Sequence, residues 1–176
     1  MTEQWQIALK WLRRGLICST LTFFLPYVHA LAMLVIFYSV WKVPEKSKLK
    51  GAIYILLLIV MADELLSVKW YTQYIILEDI VSWLLFIFKY LAMLLIIYML
   101  KPLSEQTDSM RAYKKIERFA TFVVVASLIA FSFGMNMMEN VQLMIVFVTA
   151  FFYLALTILL IRFVKMMLRT GLQFLK

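Results

Sequence analysis

The sequence predicts an all-α fold: a polytopic transmembrane helix bundle of about five spans, led by an N-terminal interfacial amphipathic helix. Three observations predict it. Hydrophobic residues make up 65% of the 176, where soluble domains run nearer to about half, and the mean hydropathy is +0.91. Several apolar runs reach or approach the ~18 residues that a helix needs to cross a hydrocarbon core of ~30 Å. Lysines and arginines flank those runs, as they do in loops beside a membrane. The spans must be helices, because an open sheet would leave backbone groups unpaired in lipid.

The first element is residues 1–14. Glu3, Gln6, Lys10, Arg13 and Arg14 fall on one helical face, and Trp5, Ala8, Leu12, Ile7 and Trp11 on the other. That pattern predicts a helix lying at a membrane surface. Residues 15–176 then form a single transmembrane domain. Its predicted spans are 16–41, 51–68, 80–100, 119–133 and 141–164. The first run has no small-residue cleavage site, which predicts a retained span and not a signal peptide. The linker after the third span holds Pro102, with Ser104 and Asp108 as candidate helix caps, and Asn140 is a candidate cap for the last span.

Orientation follows from the basic residues. Lys42, Lys46, Lys48, Lys50, Lys101, Arg111, Lys114, Lys115, Arg118, Arg162, Lys165, Arg169 and Lys176 fall on one side of a five-span arrangement. Lys10, Arg13, Arg14 and Lys69 fall on the other. The positive-inside rule then predicts an external N-terminus and a cytoplasmic C-terminus, in a bacterial cytoplasmic (inner) membrane. One feature disagrees: a basic amphipathic helix prefers the anionic cytoplasmic leaflet. A first run broken at Pro26 and re-entrant, with four full crossings, would remove the conflict.

The stretch "MADELLSVKW", 61–70, ends an apolar run with two adjacent acids, Asp63 and Glu64. Asp63 lies 13 residues past Lys50, about 20 Å deep, and Lys89 lies 12 residues before Lys101, about 18 Å deep. Neighbouring helices would bring them to one level. Buried membrane charges find partners, so Asp63, Glu64 and Lys89 form a candidate intramembrane charge site. Its plain reading is a clasp between spans, and its sharper reading a proton or cation site. Glu78, Asp79 and Glu139 make an outer acidic cluster, which helix macrodipoles favour at helix starts. An external site for a cation or basic ligand is the alternative.

Ala126, Ala130 and Gly134 form a row of small residues, read as a helix-packing seam. Cys18 and His29 stand about 16 Å apart along one predicted helix, too far for a nucleophile and its base. Met135, Met137 and Met138 cluster in a turn, but twelve methionines in an apolar chain make chance the better reading. Trp41, Trp70 and Trp83 suit interfacial anchoring. The tail places Arg162, Lys165, Arg169 and Lys176 along one face and Leu160, Val164, Met167, Leu168 and Leu175 around the rest. It predicts a continuous helix to about Thr170, whose apolar face anchors in lipid or docks on a partner subunit. Gly171 would permit a bend beyond it.

The net charge of +8 does not point to nucleic acid, because the basic residues border apolar spans. A single cysteine excludes an intrachain disulfide. Phosphate-loop, zinc-protease and serine-hydrolase motifs are absent. No metal or cofactor is expected. The expected function is non-enzymatic: contacts with other membrane proteins or self-association in the lipid bilayer, as a small subunit, assembly factor or sensor. The alternative is a small oligomeric transporter or channel for a cation or proton-coupled solute, using Asp63, Glu64 and Lys89.

Overall fold

The computed structural model describes residues 2–21, 28–44, 48–66, 75–107, 109–134 and 139–173, with the side chains of 28–29, 48, 63–66, 75–83, 86, 131, 133–134, 139–143 and 171–173 left undescribed. Its helices are α1 (Glu3–Leu21), α2 (Val28–Lys42), α3 (Lys48–Leu66), α4 (Ile75–Met99), α5 (Lys101–Gln106), α6 (Met110–Gly134) and α7 (Glu139–Gln173). No strand occurs among the described residues. Apart from the short α5, each helix packs mainly on two others. The order α1–α2–α3–α4–α6–α7 closes back on α1 as a ring.

The first run departs from its predicted form. Residues 16–41 are not one span but the end of α1 and the whole of α2, lying antiparallel. The Ser39 hydroxyl donates to the Ala8 carbonyl at 2.8 Å, and Trp11 meets Tyr38 edge to face at 5.3 Å. Gly15 sits against Ile36, where an added Cβ would come within 2.7 Å of a side-chain carbon and 3.0 Å of the backbone nitrogen. Small residues thus let the two backbones approach closely. Hydropathy alone does not see this reversal, because no charge marks it.

The N-terminal helix also differs from expectation. It continues past residue 14 to Leu21, and Trp5, Ala8, Leu9, Leu12 and Leu16 are all at most 4% exposed. Helices α2 and α7 cover that face. An amphipathic pattern demands an apolar partner but does not distinguish lipid from protein; here the partner is protein.

The chain runs up and down around the ring. Phe37 packs on Tyr54 at 4.6 Å between α2 and α3, and the Lys50 ammonium donates to the Val43 carbonyl. Tyr113 reaches Phe163, and Phe119 reaches Phe152, so α6 and α7 are antiparallel. The start of α1, end of α2, start of α3, end of α4, start of α6 and end of α7 therefore share one end of the bundle. Lys10, Arg13 and Arg14 lie toward that end, with Lys42, Lys50, Lys101 and the basic residues of α6 and α7.

Helix α5 is a corner between α4 and α6. Pro102 is tolerated because it sits in the first turn, where its missing N–H has no helical partner to lose. Ser104 lies inside α5, not at its cap, and its hydroxyl donates to the Lys101 carbonyl at 2.7 Å. Thr107 and Ser109 pair through their hydroxyls at 2.7 Å, and the Ser109 amide donates to the Ser104 carbonyl at 3.1 Å. Asp108 lies outside the described residues.

Among the described residues, Ile87–Gln106 (20 residues) and Met144–Thr170 (27 residues) are long and apolar enough to cross a membrane. Ala30–Lys42 and Leu49–Ala62 are apolar but shorter. Five separate spans are therefore not confirmed among the described residues. The first predicted span is a hairpin, and the predicted fourth occupies only the second half of α6, whose first half is amphipathic and basic.

Helix α7 is continuous through Thr170 and past Gly171. Arg162, Lys165 and Arg169 are exposed on it. Leu160, Val164 and Met167 are fully buried and Leu168 is 9% exposed. Helices α1 and α6 pack against α7, so this part of the tail's apolar face is covered by the chain itself and needs no partner subunit.

Candidate functional site

The middle of the ring holds a small cavity with a largely apolar lining. Helix α4 brings Lys89 and Tyr90 there. Lys89, half-buried, borders a cavity of about 10 Å³ with Met33, Ile36, Leu57, Val60, Met93 and Tyr153 from α2, α3, α4 and α7. That is room for about one water. Lys89 has an interaction partner in the fold.

Tyr90 is fully buried. Its hydroxyl donates across the ring to the Thr149 carbonyl of α7, and its ring meets Tyr153 edge to face at 5.6 Å. The hydroxyls of Thr149 and Thr157 return to carbonyls of their own helix, Ile145 and Val146 at 2.9 Å and Tyr153 at 2.8 Å. Buried hydroxyls satisfied in this way sit in an apolar interior at low cost. Tyr90 and Tyr153 were not singled out from the sequence. The signal was present: tyrosine favours membrane interfaces, so one placed mid-run needs a buried partner for its hydroxyl.

The predicted site residues divide. Lys89 is half-buried and lines the cavity. Asp63 and Glu64 lie in the last turn of α3, three and four residues past cavity-lining Val60, and their side chains are outside the described ones. Glu78 and Asp79 lie near the start of α4 and Glu139 opens α7, again with undescribed side chains. Those starts are at the opposite end of the ring from the basic residues.

Ala126 and Ala130 are half-buried on α6. The buried face of that helix includes Ala120, Val123, Val124 and Ser127, each at most 6% exposed. Gly134 ends α6, with its surroundings undescribed. Contrary to expectation, Cys18 and His29 do not share one helix but belong to antiparallel α1 and α2; Cys18 is half-buried and the His29 side chain is undescribed. Trp41 is 67% exposed at the end of α2, Trp83 lies on α4 with its side chain undescribed, and Trp70 with Met135, Met137 and Met138 lies outside the described residues. Among the described residues no three metal-ligating side chains cluster.

No protein-family model, curated protein or solved structure matches this chain.

Proposed function

We propose that this chain is a multi-pass integral membrane protein of a bacterial cytoplasmic membrane that acts through contacts with other membrane proteins and not through catalysis. One observation carries the membrane reading. The most apolar 18-residue window within Met144–Thr170 has a mean hydropathy of 2.7, yet only 28% of that window is buried. A core helix of a water-soluble domain would be mostly covered. Instead Met144, Phe147 and Phe151 are 67–74% exposed, and Phe122, Val125, Leu128 and Ile129 of α6 widen the same kind of surface. Hydrocarbon or a membrane partner is what such a wall meets.

On four helices an exposed basic residue gives way to an exposed apolar one away from the basic end. Arg14 gives way to Ile17 on α1, Lys42 to Trp41 on α2, Arg118 to Phe122 on α6 and Arg162 to Ile158 on α7. On this reading α3, α4, α6 and α7 cross the bilayer, and the α1–α2 hairpin enters and leaves it on the basic side. Both termini are then cytoplasmic, which revises the external N-terminus expected from the sequence. It also moves Lys10, Arg13 and Arg14 to the majority side of the charge count.

Photo-cross-linking tests the contact function. A photoreactive residue at Phe147, Phe151, Phe122 or Ile129 should give a protein adduct of one defined mass in native membranes, and none at Ile55. Lipid adducts alone at every position would contradict it. A second reading, an ion-linked role, rests on Lys89 bordering the cavity. It predicts that Lys89→Met abolishes cation- or proton-dependent uptake in vesicles while leaving the fold intact.

A further inference from the structure

Two exposed cations bracket a pair of rings at one edge of the α1–α2 hairpin. The Arg14 guanidinium carbon lies 4.9 Å from the centre of a Trp11 ring. The Lys42 ammonium lies 5.3 Å from the centre of the Tyr38 ring. Trp11 and Tyr38 meet edge to face between them. The order in space is Arg14, Trp11, Tyr38, Lys42, so residues from both helices build one polar edge.

Apolar side chains continue from this edge away from the basic end. On α1, Ile17 and Leu21 follow Arg14 at one and two turns, 38% and 49% exposed. On α2, Leu34 and Leu31 precede Tyr38 at one and two turns, 51% and 62% exposed. Helical spacing keeps each set on one stripe.

We propose that this edge of the hairpin binds one anionic phospholipid, with its headgroup along the edge that carries Arg14 and Lys42 and its acyl chains along Ile17, Leu21, Leu31 and Leu34. The proposal rests on the membrane reading above. Charge decides the headgroup class. A cage for a choline headgroup presents free ring faces to the ammonium. Here a cation already attends each ring, so a second cation is repelled and a phosphate is attracted. The rings also hold the two cations in place, which lowers the ordering cost of binding. Lys10 and Arg13 on the same helix add to the positive field.

Native mass spectrometry of the full chain in mild detergent tests this, with phosphatidylglycerol and phosphatidylcholine of identical acyl chains. The wild type should retain one phosphatidylglycerol about tenfold more tightly than phosphatidylcholine, in line with the attraction that each basic residue feels at an anionic surface. R14Q/K42Q should lose that preference, R14K/K42R should keep it, and K114Q/K115Q on α6 should leave it unchanged. An unchanged preference in R14Q/K42Q, or an equal loss in K114Q/K115Q, would overturn the site. Retention of glycerol phosphate as tight as that of the lipid would overturn the lipid assignment. Alkaline carbonate extraction of the wild type separates the two claims. A chain that stays in the membrane pellet but shows no lipid preference refutes this proposal alone, whereas a chain released to the supernatant refutes the membrane reading as well.

Discussion

The two helical hairpins that flank the α1–α7 contact are built on opposite principles. In α1–α2 the backbones approach through small residues: Gly15 lies under Ile36 and Ser39 reaches the Ala8 carbonyl. In α6–α7 the helices are joined through rings: Tyr113 on Phe163, and Phe119 and Phe122 on Phe152, at 6.3–6.4 Å between centroids. Close backbone packing tolerates no added atom. Ring packing tolerates little removal, because each ring fills a large volume. The same antiparallel geometry thus fails by overpacking in one hairpin and by cavity formation in the other.

Removing a ring should cost most. Phe163 is 2% exposed, and Phe163→Ala is expected to destabilise the fold by about 3 kcal/mol or more. Thermal unfolding in detergent measures it, and a loss below that of the Gly15 substitution would invert the comparison. Next, Gly15→Ala is expected to cost about 1–3 kcal/mol by overpacking. Gly51→Ala is its control, because nothing lies within 4 Å of an added Cβ there, and the better helix propensity of alanine should leave stability equal or raised. Equal behaviour of the two glycine variants would mean that the hairpin is not closely packed at Gly15.

Ser39→Ala should cost about 1 kcal/mol. It removes one inter-helical hydrogen bond but leaves the Ala8 carbonyl its helical partner. The same unfolding assay reads it, with Ser132→Ala as the reference, since that exposed hydroxyl bonds only within its own helix.

The smallest effect sharpens the ring-packed hairpin at its basic end. Burial, and then the negative charge of Glu117, push the Tyr113 phenol above its ordinary 10.0. A raised folded-state value means that the protonated form is favoured in the fold. Its contribution is therefore fully present below pH 10 and is lost as the pH rises beyond that. Tyr113→Phe should flatten the alkaline decline in stability and leave neutral pH little changed. An alkaline limb of the same slope in wild type and variant would show that Tyr113 is not the group responsible.

Much of the helical layout was readable in the sequence. The break at the α4–α5 corner was marked by Pro102, and the exposed Arg162, Lys165 and Arg169 follow from their spacing. Lys89 announced itself as a charge within an apolar run. The hairpin was not readable in the same way. Its reversal carries no charged residue, so a hydropathy pattern reads 16–41 as one span. Only Pro26 and the preference of a basic amphipathic helix for the cytoplasmic leaflet hinted at it. The tail failed for a different reason. An apolar face on Leu160, Val164 and Met167 requires a cover, but which surface supplies it depends on α1, more than 140 positions earlier in the chain. The buried Tyr90–Thr149 link was not readable, because its acceptor is a backbone carbonyl 59 positions away in the chain.

The α1–α2 reversal determines on which side the N-terminus lies. Single cysteines at Gln4, Lys115 and Arg169, each in a Cys18→Ser background, can be challenged with an impermeant thiol reagent in intact cells and after permeabilisation. All three should be protected in intact cells and labelled together once the membrane is opened. Labelling of the Gln4 position from outside, with the other two still protected, would contradict the reversal and restore a single first span.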